Sequence, residues 1–490
     1  MPMAGRRLSG VPLRGSYPAA VAMALLALCP FIVLSTASLL LRQPLMRDLG
    51  GGMFGAQLAG GLSNAGYSFG AVAAADLIQR VPGRLFLTCE AGFVAGSLLA
   101  ALAPGIALFT AGRVVQGAAT GMLLVAALPP LVTNHGAEKL PLTAAFVNLG
   151  LFGMVTLGPL VGGIAEGFAA WRALFIGTAV LGVIGLLIGA LAFERAEPPS
   201  RRIGFDYSAI PVAAAATVLP FFGVSWLSRG SFTSIGFLLP VILGLLALGT
   251  LMVRQYRKPR ALMPLKLLAH TLPVTGVSIA MVAGAGFTTL IELAVIYLLD
   301  VAHRPPMETG ALLATQIAGL VAAAWLFKTM LTTRWLPALA FTGTGLVAAG
   351  GALLLWLPPV PVIAVAGALL GFGAGAGVAP GLFMAGLSVP SNRLGPTFAL
   401  VELLRAEAAF LIGPVLVHIA MLSDDLAQGI RLTILIMVLI VLAGAVVLLG
   451  LLLAGSARPH APDLRSWLAG ESPAYHSPRL GAAFRGQGPT

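Results

Sequence analysis

A guanidinium and a carboxamide one helical turn apart, inside a segment otherwise free of charge, are the residues of this chain best placed to do chemistry. Arg113 and Gln116 lie in AGRVVQGAATG (111–121) and would present hydrogen-bond donors to a buried polar group or ligand. Four carboxylates share such apolar surroundings. Glu292 lies in GFTTLIELAVIYLL, Glu90 in LFLTCEAGFV, and Glu402 and Glu407 flank Arg405 in a single segment. Glu402 and Arg405 are three residues apart and so share a helix face, which makes them an internal pair, while Glu407 points elsewhere. Ionisable groups inside apolar helices are costly and usually bind ions, protons or substrates. Metal chemistry is not indicated, because the 6 histidines are scattered and the 2 cysteines, Cys29 and Cys89, both fall within apolar runs.

The elements that carry these residues follow from composition. Only 9% of the 490 residues are charged and 58% are hydrophobic, with apolar runs of about twenty residues recurring from Pro18 to Gly455. A water-soluble domain would carry roughly 25% charged residues. The runs are continuous, without the alternation that marks barrel strands, so they predict membrane-spanning helices. In lipid, 61 glycines and 34 prolines are tolerated, since small residues let backbones approach and neighbours satisfy freed backbone groups. Fourteen spans are expected, at 18–41, 54–75, 85–103, 106–130, 143–165, 172–193, 208–227, 235–253, 273–299, 309–327, 335–356, 360–387, 398–421 and 431–454. The first could be mistaken for a signal peptide behind Arg6, Arg7 and Arg14, but its run is too long for a signal core.

Charge asymmetry sets the orientation. With the amino terminus in the cytoplasm, inside segments hold twenty-one Lys and Arg, outside segments hold six, and Arg113 and Arg405 lie within spans. This bias predicts a multi-pass protein of the cell membrane with both termini cytoplasmic. It also accounts for the net charge of +12 without a nucleic-acid partner. Parity cannot distinguish twelve spans from fourteen, but 208–227 and 235–253 hold no charge and should both insert. The chain then divides into a cytoplasmic amino-terminal tail (1–17), a six-helix bundle (18–193), cytoplasmic loops with a two-helix insert (194–271), a second six-helix bundle (272–455) and a tail (456–490). That tail is rich in Pro, Gly, Ser and Arg and is expected to be disordered. Two six-helix halves joined by a charged connection are the organisation of a rocking-bundle transporter.

Specific motifs sharpen this reading. Arg113, Gln116 and Gly117 resemble the fourth-helix Arg-x-x-Gln-Gly motif of the major facilitator superfamily, within it the fourteen-span drug:proton antiporter group. Gly158-Pro159 with Gly162-Gly163 is similar to that group's fifth-helix antiporter motif, Trp171-Arg172 with Phe175 to its sixth-helix entrance, and PPMETG (305–310) to the loop opening its tenth span. The resemblance implies a major facilitator fold of two six-helix bundles plus a two-helix insert, a proton gradient in place of a cofactor, and a flexible seam at 158–163. It also implies a gating loop after span two, degenerate here: Asp76 is present, Val72 stands where a glycine is usual, and the basic residues are Arg80 and Arg84. The acid usual in span one is replaced by Ser35, nine residues before Pro44, which weakens proton antiport as an expectation.

Each motif has a plainer reading beside it. Arg113 with Gln116 is a substrate or coupling site, or else a hydrogen-bonding anchor between helices. The glycines of 158–163 form a flexible seam or simply pack tightly. Asp76 with Arg80 or Arg84 makes a cytoplasmic lock or a solvated loop end. Glu292 is the leading proton carrier, or else a structural hydrogen-bonding residue. The amides Gln57, Asn64, Asn148 and Gln316 line a cavity or join helices.

The leading expectation is secondary active export of small amphipathic organic compounds by alternating access, coupled to protons, by a monomer in the bilayer. Uptake or exchange of a specific metabolite is the alternative, since fold does not fix direction. An integral-membrane enzyme such as a lipid transferase is disfavoured, because the adjacent acids are Asp424-Asp425 in a short outer loop and the histidines are scattered. ATP hydrolysis is not expected, since no G-x-x-x-x-G-K-[ST] run is present and GFGAGAG (371–377) lies inside an apolar span.

Overall fold

The structure is a computed structural model that describes residues 15–78, 82–193, 206–258, 261–356, 359–455 and 460–480. Among these residues it is helical throughout, with a single isolated β-bridge, His270 to Arg479. Twelve helices are both long and apolar enough to cross a membrane. Two more are long enough, α3 (Gly52–Leu77, 26 residues) and α16 (Leu394–Met421, 28 residues). A fourteen-span count depends on these two. They are the helices that turn Gln57, Asn64, Glu402, Arg405 and Glu407 towards other protein segments, which lets a polar helix lie at membrane depth.

The first half comprises α1 (Tyr17–Ala37), α3, α4 (Pro82–Ala101), α5 (Ile106–Thr133), α6 (Leu140–Gly167) and α7 (Trp171–Ala192), with a short α2 (Arg42–Leu49) after α1. The second half comprises α11 (Thr271–Ile296, continued by a π-helical turn at Tyr297–Val301), α12 (Pro306–Leu313) with α13 (Gln316–Met330), α14 (Leu336–Leu354), α15 (Val360–Leu387), α16 and α17 (Leu426–Ala454). Packing repeats between them. In the first half α5 packs on α3 and α4, and α1 on α6 and α7; in the second α15 packs on α13 and α14, and α11 on α16 and α17. The halves meet where α6 lies against α12 and α13, and where α16 lies against α3 and α5.

Backbone proximity holds each half together. On α5, a Cβ at Gly117 or Gly121 would collide with the α3 backbone at Ser63 or Tyr67, and α3 answers with Gly66 and Gly70 against Val114 and Ala118. Lipid supplies no hydrophobic drive for helices to associate, so this close van der Waals contact takes its place.

The insert is α8 (Ala209–Trp226) with α9 (Ile235–Arg257). α9 is largely exposed around its circumference, as a lipid-facing helix should be, whereas α8 packs on α3 and α16. A polar knot ties the base of the pair. Lys258 Nζ lies 2.6 Å from Asp206 Oδ2, Ser208 donates to Asp206 Oδ1, and Gln255 Oε1 accepts from the backbone of Leu262. Burial alone would raise the Asp206 carboxyl, but hydrogen bonds from Lys258, Ser208 and Gln255 outweigh it and hold it below the usual carboxylate range.

Two expectations need correction. Span one does not run to residue 41: α1 stops at Ala37, and after a turn α2 begins at Arg42 with Pro44 in its first turn. The carboxy-terminal tail is not wholly without structure either. Residues 460–480 pack on the second half, at the start of α11 and the end of α15, with α18 (Leu464–Leu468) burying Leu464 and Trp467. Trp467 Nε1 donates to the Val389 carbonyl at 2.8 Å, and Ala474 and Tyr475 both donate to Leu387 O. The Thr271 and Leu272 amides opening α11 donate to Pro478 O and Ser477 Oγ, filling part of that helix's amino-terminal demand for acceptors. One tryptophan with its polar edge satisfied is enough to hold a segment that composition alone marks as unstructured. Trp467→Ala should therefore cost about 3 kcal/mol and lower the thermal unfolding midpoint of the purified protein. It should also expose residues 460–480 to limited proteolysis, which the parent resists.

Candidate transport site

The functional side chains collect where the two halves face each other. A cavity on the seam is lined by α1, α2, α3, α5 and α6 from the first half, by α11 and α16 from the second, and by α8 of the insert. Its polar lining includes Ser35, Gln57, Asn64 and Thr288, and its ionisable lining is Arg42, Arg113 and Glu292. Phenylalanines 109, 221, 287 and 410 are among the apolar residues around it.

Arg113 is 2% exposed. Its Nη1 donates to Gln116 Oε1 at 2.8 Å, and Gln116 Nε2 donates to Ser97 Oγ on α4 at 2.7 Å. The guanidinium also lies 5.3 Å from the Phe31 ring and 5.7 Å from the Phe175 ring, so two aromatic faces supplement the amide. No carboxylate is ion-paired with it among the described residues. Gln116 is thus a positioning residue that fixes Arg113 and does not itself line the cavity.

One ion pair and one hydrogen bond to a carboxylate cross between the halves. Arg42 Nη2 of α2 lies 3.6 Å from Glu292 Oε1 of α11. Nearer the end carrying both termini, Tyr67 of α3 donates to Glu402 Oε2 at 3.2 Å, and Arg405 binds the same oxygen at 3.0 and 2.5 Å. Tyr67 stacks on Phe31 with centroids 5.6 Å apart and 10° between planes. An unbroken contact path therefore runs from Arg113 through Phe31 and Tyr67 to Glu402 and Arg405. The cavity lies on the far side of that layer. Closer to the termini the seam is shut, with Gly395 of α16 against Val125 and Pro129 of α5.

The remaining expected residues separate. Gln57 and Asn64 line the cavity, while Asn148 donates to Gly375 O at 3.0 Å across the α6–α15 contact, away from it. Gln316 is buried with its side-chain amide unpaired. Glu90 and Glu407 are likewise buried without hydrogen-bond partners, outside the cavity lining. Of the 158–163 glycines, Gly158 and Gly162 pack on α1, but Gly163 abuts the backbone of Pro306 and Met307 in the other half. Gly310 returns the contact against Pro159 and Leu160. Pro159 lies within α6 without ending it. Arg80 and the side chain of Asp76 lie outside the described residues, and Arg84 is exposed in the first turn of α4.

Sequence reasoning missed Arg42, which it placed in an outer loop, and the contribution of α8. Pro44 was the available sign, since proline in a helix's first turn marks a new helix. Nothing in the sequence of α8 marks which face it turns to the cavity.

Residues 23–337 match the Major Facilitator Superfamily model. The chain belongs to that superfamily. It is 28% identical over 304 residues to the multidrug resistance protein B homolog of Mycobacterium tuberculosis, covering 61% of this chain and 56% of that protein. It is 26% identical over 231 residues to the tetracenomycin C resistance and export protein of Streptomyces glaucescens, covering 46% of this chain and 42% of that one. The chain thus spans about half the length of these relatives. Among solved structures, a peptide transporter POT in complex with sulfate superposes with a TM-score of 0.62 at 18% identity, covering 90% of this chain and 96% of that one. The human organic anion transporter MFSD10 gives 0.59 at 16%, covering 90% of this chain and all of that one. At such identity the likeness is one of fold.

Backbone contact at Gly163 and Gly310 leaves no room for a larger side chain at the α6–α12 seam. Gly163→Val would place methyl groups against the Pro306 and Met307 backbone, an overpacking worth about 1–3 kcal/mol. The expected result is a folded protein in which cysteines introduced across the α6–α12 contact no longer cross-link.

Proposed function

We propose that this protein is a proton-coupled exporter of small amphipathic organic compounds, working by alternating access across the cell membrane. The observation that carries the reading is the position of the cavity. It lies between two matched six-helix halves, holds a buried arginine that has no acidic partner among the described residues, and is bordered by an ion pair that joins the halves. The charge bias of the loops supports cytoplasmic termini, with the cavity displaced towards the outside. The names of the relatives support the outward direction and a substrate that is an organic compound.

Glu292 is the acid best placed to couple protons to movement. Ionised, it attracts Arg42 across the seam, and a unit pair near this separation is worth about 4 kcal/mol in partly buried surroundings. Protonated, it releases Arg42 and that restraint between α2 and α11. Rocking must also part Tyr67 from Glu402 and Gly395 from α5, which opens the path towards the termini. Glu402 and Arg405 stay on the same helix through that motion, so neither charge is stranded. Ser35 donates within α1 to Phe31 O at 3.0 Å and offers no proton-carrying acid in that position.

Glu292→Gln separates coupling from carriage. In inverted vesicles, efflux driven by an imposed pH gradient should fall at least about tenfold, while exchange of labelled for unlabelled substrate without a gradient continues. PH-driven efflux equal to the parent's would remove Glu292 from the coupling step.

A further inference from the structure

The outer face of the second half carries a groove that shares no residue with the seam cavity. It lies between the start of α14 and the end of α17, at the end of the molecule that carries both termini, and encloses about 530 Å³. Its walls are apolar: Pro337, Ala338 and Phe341 of α14 face Leu449 and Leu452 of α17. Pro337, Phe341 and Gly345 are four residues apart and share one helix face. A Cβ at Gly345 would meet nothing within 4 Å, so that face stays open above the groove.

Arg334 and Trp335 form the mouth, on the turn between α13 and α14. The turn is pinned by Thr333, whose Oγ1 donates to Met330 O at 2.8 Å and accepts from the Trp335 amide at 3.2 Å. The Arg334 guanidinium lies 5.2 Å from the Trp335 ring centroid, and both side chains are exposed. Arg334 has no ion pair among the described residues. Charge here has one sign only. No Asp or Glu occurs between Glu308 and Glu402 or between Asp425 and Asp463, so neither wall nor the turn supplies an acid. Lys328, in the last turn of α13, is a second exposed cation on that side.

We propose that this groove binds an anionic phospholipid of the leaflet facing the termini, with an acyl chain between α14 and α17 and the phosphate at Arg334. An apolar slot open to the bilayer takes a hydrocarbon chain, and a basic residue at headgroup depth takes the phosphate. Tryptophan is the side chain that settles at that depth. A zwitterionic lipid would bring a cationic headgroup to a mouth without an acid, so net negative charge is preferred. A water-soluble phosphate would leave the slot unfilled.

The test uses the full-length protein in detergent, with dioleoylphosphatidylglycerol, dioleoylphosphatidylcholine or glycerol 3-phosphate added separately. Thermal unfolding reports stabilisation and native mass spectrometry counts retained lipid. Phosphatidylglycerol should raise the midpoint and bind at least about fivefold more tightly than phosphatidylcholine, the share of one basic residue near the surface. Glycerol 3-phosphate should do neither. Arg334→Gln should bring phosphatidylglycerol down to the affinity of phosphatidylcholine, and Ala338→Trp, which fills the slot, should weaken both lipids. Both positions are exposed, so the lipid-free midpoint should stay at the parent's. Arg393→Gln removes another exposed arginine on the same side and should leave the preference intact. Equal binding of the two lipids by the parent, undiminished preference in Arg334→Gln, or an equal loss in Arg393→Gln would each overturn the site. So would unaltered binding in Ala338→Trp, or stabilisation by glycerol 3-phosphate that matches the lipid's.

Discussion

A full charge can stay at membrane depth only if a partner, a π-face or a polar cavity compensates for the water it has lost, and the interior of this protein is arranged around that requirement. Arg113 has an amide, two phenyl rings and the cavity, and no acid. Arg405 has Glu402. Arg42 has Glu292 on the opposite half. Arg113 and the Arg42–Glu292 pair both line the cavity, whereas the Glu402–Arg405 pair lies where α16 touches α3.

The same requirement links the site to the motion. Phe31 stacks against both the Arg113 guanidinium and the Tyr67 ring, and Tyr67 donates to the carboxylate that Arg405 holds. Arg113 is therefore joined through two rings to the hydrogen bond between α3 and α16. At the other end the Arg42–Glu292 pair restrains the same two bodies. Each contact joins α2 or α3 to α11 or α16, so rigid rotation of one half against the other breaks them without disturbing the packing inside either half. Backbone contact stiffens each half, between α3 and α5 in the first and between α15 and both α13 and α14 in the second, where Gly319 meets Ala368 and Gly343 meets Gly377.

The insert shows how a polar helix is accommodated. α3 carries amides and glycines that a lipid-facing helix would not, and α8 shields them. The shield is also a wall of the cavity, because α8 packs on both α3 and α16. On the side carrying the termini, a segment that composition assigns to disorder closes over the start of α11 and the end of α15. Its hold depends on Trp467, on backbone acceptors at the end of α15 and on amide donors at the start of α11.

The sequence by itself determined the membrane class, the two-half plan, the insert, the buried Arg113–Gln116 pair and the Glu402–Arg405 spacing. These follow from local quantities: the length of apolar runs, the scarcity of charge within them, and helical periodicity over a single turn. Only the tertiary structure decided that Arg42 meets Glu292, that Asn148 and Gln316 lie apart from the cavity while Gln57 and Asn64 line it, that Gly163 faces the other half while Gly158 and Gly162 face α1, and that α8 joins the site. Those facts depend on which face of each helix turns inward and how far α1 runs before breaking. In a chain where nearly every residue is apolar, hydrophobic periodicity cannot report the inward face, because lipid and protein interior are almost equally good surroundings for leucine, alanine and glycine.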